Sequence, residues 1–93
     1  SRALSEIKIE GLQLLEMIKN AINEDSDLLK EKELNLLQET LGKLKKSLES
    51  SDRNHIEELT KQLNENSQSF AAKRMDRSIH KALTGKSINS LEL

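Results

Sequence analysis

Between residues 2 and 23, Leu4, Ile7, Leu14, Leu15, Ile18, Ala21 and Ile22 fall on one stripe when successive residues are turned by 100°, which is a helical period. Gly11 falls in the same stripe. A missing side chain there lowers helix propensity but lets a neighbouring helix come close. The polar stretch Glu24-Asp25-Ser26-Asp27 interrupts the pattern with helix-capping residue types. After it, Leu34, Leu37, Leu41, Leu44 and Leu48 stand at spacings of 3, 4, 3 and 4, the apolar seam of a second helix.

A second interruption, Ser50-Ser51-Asp52, offers an N-cap for a third helix beginning near Arg53. Glu57 and Glu58 are expected in or near its first turn, where the helix dipole favours negative charge. Ile56, Leu59, Leu63, Asn66 and Phe70 keep the heptad-like spacing, but Ala72, Met75, Ile79, Ala82 and Leu83 are displaced from it by about one position. The third helix is therefore expected to bend near Ser67 to Ser69, or to break there and leave a separate short helix. Gly85 follows as a C-terminal cap, with Lys81 in the last turn and Lys86 just beyond it. Short interruptions between long helices force neighbours to run antiparallel, so the predicted fold is an all-α, antiparallel three-helix bundle over residues 1–86, with residues 87–93 as a loose tail.

One set of residues does not fit that core. On the first helix Ser5, Ile9, Leu12 and Glu16, spaced 4, 3 and 4, make a second stripe well over 90° from the centre of the apolar face. A three-helix bundle buries only one stripe per helix. Ile9 and Leu12 are then either scattered exposed apolar residues, common on any surface, or a contact with something outside this chain.

Composition narrows the choice. The chain has 93 residues, enough for one small domain. Its apolar residues are mostly Leu and Ile, 17 and 7, with no Val or Pro and with Phe70 as the only aromatic; strands draw on the residue types that are missing. No cysteine excludes disulfides and thiolate chemistry and suits a reducing, cytoplasmic compartment. No apolar run approaches the roughly 18–20 residues that span a bilayer, and no signal-peptide pattern opens the chain, so a soluble protein without a membrane partner is expected.

Candidate chemistry is sparse. His55 and His80 are 25 residues apart, and His55 with Glu58 supplies too few ligands for a metal. No phosphate loop or nucleophile motif is present, so the chain is expected to be non-catalytic and to hold no cofactor of its own. The net charge is −1, distributed as −4 over residues 1–72 (10 basic, 14 acidic) and +3 over residues 73–93 (5 basic, 2 acidic). Residues 73–81, Lys-Arg-Met-Asp-Arg-Ser-Ile-His-Lys, look like a phosphate-binding patch. However, their bases surround the helix-spaced Met75 and Ile79, and no aromatic is available for stacking. Nucleic acid is therefore not expected as a partner.

The run Ser69-Phe70-Ala71-Ala72-Lys73-Arg74-Met75-Asp76-Arg77-Ser78-Ile79-His80-Lys81-Ala82-Leu83-Thr84-Gly85-Lys86-Ser87 resembles the end of the iron-sulfur-assembly members of the seventy-kilodalton heat-shock chaperone family. Upstream, Leu14-Leu15-Glu16, Leu28-Leu29 and the series Leu37, Leu41, Leu44, Leu48, Asp52, Ile56 and Glu57 are similar in order and spacing to that family's lid helices. The likeness spans nearly the whole chain, and its specific part is C-terminal.

The resemblance implies a bacterial, cytoplasmic chaperone segment: the helical lid over a peptide-binding β-sandwich that is absent from this chain. It also implies an iron-sulfur scaffold protein as client, a J-type co-chaperone and ATP hydrolysis, each served by other domains. The family's lid latches to the sandwich through the long helix, and by position Leu12 and Glu16 fall there. General members carry a histidine where this chain has Glu16, so only the face carries over: Ile9, Leu12 and Glu16 become the lid-to-sandwich face. In the isolated chain that face is expected to support weak homodimerisation. The rival reading is a free-standing helical adaptor or dimerisation module whose Leu heptads pair with another chain.

Overall fold

A computed structural model describes residues 3–83. Three α-helices account for most of them: α1 (Leu4–Asp25), α2 (Glu31–Ser47) and α3 (Arg53–Ala82), with a single 3₁₀ turn, Ser26–Leu28, between the first two. No strand occurs among the described residues. The cap expected at Gly85, with Lys86, and the tail after it lie outside the described residues.

The helices run up, down and up. The start of α1 lies against the end of α2 and the start of α3: a Cβ added to Gly11 would sit 3.2 Å from Leu48 Cδ2 and 3.2 Å from Thr60 Oγ1. At the other end, Asp25 of α1 meets Arg74 and Arg77 of α3, and Glu33 of α2 meets Lys73. The close approach read into Gly11 is therefore present. α3 packs more extensively on α1 and on α2 than those two pack on each other, so it forms the spine of the bundle.

The predicted stripes make the core. Ile7, Leu15, Ile18, Ala21 and Ile22 of α1, Leu37 and Leu44 of α2, and Ile56, Leu59, Leu63 and Phe70 of α3 are buried, with Leu4, Leu14, Leu34, Leu41 and Leu48 packed around them. Burying a side chain of this size stabilises by about 1.5–3 kcal/mol before entropy is charged against it. Where the stripes reach small polar positions, the hydroxyls bond within their own helix: Thr40 Oγ1 donates to Leu36 O, Ser47 Oγ to Leu44 O and Ser67 Oγ to Asn64 O. Thr40 also accepts from Asn66 Nδ2 at 3.3 Å, tying α2 to α3.

One expectation needs correcting, and two open readings are narrowed. The seam of α3 passes through Ser67, which is buried, while Asn66 is exposed, because after Leu63 the inward direction falls four positions on rather than three. α3 is one continuous helix with no break at residues 67–69. Its ladder of backbone bonds runs on through these residues, and the apolar pattern shifts because Phe70 is the last residue of α3 that is buried. Glu57 and Glu58 follow directly on the first turn of α3, near it as expected, while the turn itself holds no acidic residue. The N-cap did form as expected: Asp52 Oδ1 accepts from the His55 backbone N–H at 3.1 Å.

Candidate functional site

The two faces of α1 separate as its periodicity requires. Its inner face carries Ile7, Gly11, Leu15, Ile18 and Ile22, all buried, whereas Ile9 and Leu12 on the other face are 56% and 49% exposed, with Ser5 and Glu16 also exposed. The structure thus brings Ile9, Leu12 and Glu16 together on one open surface that the bundle does not use. Beside them, α1 and α2 diverge into an open groove of about 370 Å³, lined by Leu15, Glu16 and Lys19 on one wall and Leu41, Gly42 and Lys45 on the other. Glu16 is common to the stripe and the groove. The Leu heptad offered to another chain in the adaptor reading is occupied internally, with Leu37 and Leu44 only 1% and 0% exposed.

The basic run at residues 73–81 faces inward to a degree that periodicity did not reveal. Arg74 donates from Nε to Asp25 Oδ2 at 2.7 Å and from Nη2 to Glu24 Oε2 at 2.9 Å. Arg77 reaches Asp25 Oδ1 at 3.0 Å and forks onto both oxygens of Asp27. Lys73 Nζ donates to Glu33 Oε1 at 3.1 Å and to the Leu28 carbonyl at 3.4 Å. These pairs clamp α3 onto the turn between α1 and α2. The residues read as helix caps, Asp25 and Asp27, act here as acceptors for arginines; α2 is capped instead at Lys30, whose backbone N–H donates to Glu33 Oε1 at 3.1 Å. Charge spacing gave no signal for this, because the partners are 40 to 52 positions apart.

The clamp's electrostatics follow its geometry. The Arg74 hydrogen bond, then that of Arg77, holds the Asp25 carboxyl below the usual carboxylate range despite partial desolvation. Arg77 does the same for Asp27. Glu33 is lowered first by the Lys30 backbone N–H and then by Lys73, and the two aspartates in turn raise Arg77. His55 and His80 sit on the one helix α3, so their 25-residue separation is about 37 Å of rise. His80 Nε2 lies 3.7 Å from Asp76 Oδ2 within α3. No helix among the described residues is long and apolar enough to cross a membrane.

No protein-family model matches the chain. Individual relatives do. It is 44% identical over 91 residues, 98% of its length, to a "Chaperone protein HscA homolog" of Methylococcus capsulatus. It is 38% identical over 91 residues to the "Chaperone protein HscA" of Photorhabdus laumondii, and 45% identical over 84 residues to an HscA homolog of Acinetobacter baumannii. The chain spans about 15% of the length of these relatives. The resemblance read from residues 69–87 is borne out: over nearly its whole length the chain is similar in sequence to a segment of HscA chaperones.

Proposed function

We propose that this chain, an HscA-type segment, is the C-terminal helical lid of a chaperone's substrate-binding domain, and that it slows peptide exchange by closing over an adjoining β-sandwich outside the chain. The observation that carries this reading is the open stripe of Ile9, Leu12 and Glu16 on the α1 face opposite the core. Its two apolar members lie off the buried core, and by the resemblance this face falls in the region where the family's lid meets the sandwich.

A lid gates exchange only through contacts made in the shut state and lost in the open one. Apolar burial at Ile9 and Leu12, with Glu16 at the edge to engage a donor, supplies such a difference. In this reading the chain is non-catalytic. ATP binding and hydrolysis, the J-type co-chaperone and the iron-sulfur scaffold client belong to other domains of a parent working in the bacterial cytoplasm.

The test is Leu12→Ser with Glu16→Lys, made in this chain and in a full-length HscA chaperone carrying it as the corresponding segment. Faster peptide release with unchanged melting of the isolated bundle is expected. Collapse of the bundle together with an unchanged peptide off-rate would place these residues in the core and overturn the gating role.

A further inference from the structure

α3 is held by two different kinds of force along its length. From Arg53 to Phe70 it contributes Ile56, Leu59, Leu63, Ser67 and Phe70 to the buried interior. From residue 71 to residue 83 no residue is buried, and Met75, Ile79 and Leu83 stand 66%, 50% and 53% exposed. The bonds that tie this second part to the rest of the bundle run from Lys73, Arg74 and Arg77 to Glu33, Glu24, Asp25 and Asp27, with the Leu28 carbonyl.

Those pairs are open to solvent ions. The side chains of Arg74 and Arg77 are 33% and 31% exposed, and those of Glu24 and Asp27 are 68% and 65% exposed. Exposed pairs weaken as salt rises, whereas an apolar core does not. Asp25, at 17%, is the most enclosed member and bonds both arginines, so the clamp is organised around one carboxylate.

We propose that residues 71–83 are a separately seated end of α3, docked on the α1–α2 turn by this ionic clamp, and that screening or neutralising the clamp releases the end while the rest of the bundle stays folded. The fold thereby contains a salt-sensitive switch with two positions. Seated, the end neutralises the acidic turn by pairing with it. Released, it frees Lys73, Arg74 and Arg77 beside the exposed Met75 and Ile79, and leaves the carboxylates of the turn unpaired.

Backbone amide exchange on this chain separates the two parts. Raising sodium chloride from about 0.01 M to about 1 M shortens the Debye length from about 30 Å to about 3 Å. Exchange at residues 76–83 is expected to quicken roughly tenfold, while residues 56–67 keep their protection. Asp25→Asn with Asp27→Asn is expected to give the fast exchange already at low salt. Met75→Ser with Ile79→Ser is expected to leave the low-salt protection of the end in place. The proposal is overturned if residues 76–83 ignore both salt and the aspartate changes, if they loosen in step with residues 56–67, or if the serine pair loosens them more than the aspartate pair does.

Discussion

Arg74 donates from Nε to Oδ2 of Asp25 at 2.7 Å, across 49 positions of sequence. Because that bond and its neighbours favour the ionised carboxylates, Asp25, Asp27 and Glu33 all have folded pKa values below those of the unfolded chain. Their stabilising effect is fully present above the unfolded carboxylate pKa of about 4 and is lost as pH falls through the lowered folded values. Carboxyl-carbon NMR titrations should show these three midpoints below ordinary values, with the clamp intact from about pH 7 to about pH 5. An ordinary midpoint for Asp25 would contradict the geometry.

The two described glycines should respond in opposite ways. Nothing lies within 4 Å of the Cβ position at Gly42, so Gly42→Ala should stabilise α2 by about 0.5–1 kcal/mol from helix propensity. At Gly11 the Cβ position already lies 3.2 Å from both Leu48 and Thr60. Gly11→Leu should therefore force the helices apart and lower the melting temperature despite its better propensity. Thermal melts by far-ultraviolet circular dichroism distinguish the two.

Leu44 is fully enclosed. Leu44→Ala should cost about 2–5 kcal/mol, and Leu44→Asp should cost more because a carboxylate is left unpaired in the interior. For a domain this small, either loss is comparable with its whole stability. A Leu44→Asp variant retaining native helicity and melting temperature would refute the placement.

The open stripe makes its own prediction for the isolated chain. With Ile9 and Leu12 about half exposed on one face, weak concentration-dependent association is expected. Ile9→Ser with Leu12→Ser should abolish it without lowering stability by more than about 0.5 kcal/mol. Sedimentation equilibrium reads the first effect, and thermal melting the second.

The core was legible in the sequence because each helix repeats its buried positions every three or four residues, and Ile7, Leu37, Leu44, Ile56 and Leu63 all lie where that spacing puts them. The exposed stripe at Ile9 and Leu12 was legible for the same reason, as a phase out of step with the core. The clamp was not. Capping types such as Asp25 and Asp27 carry the same local signature whether they cap a helix or receive a distant arginine, and the deciding partners, Arg74 and Arg77, belong to another helix. The continuity of α3 was not legible, because its apolar phase changes after Phe70, the last buried residue of the helix, while the backbone ladder runs on.

Phe70, 2% exposed beneath the Arg74 guanidinium 6.0 Å from its ring centroid, is the only aromatic residue of the chain. Lacking tryptophan and tyrosine, the protein is nearly dark in the near ultraviolet. An indole introduced at Met75, a position already 66% open to solvent, becomes its sole emitter. Emission from that one ring reports on the end of α3 alone, with no background from the core to subtract.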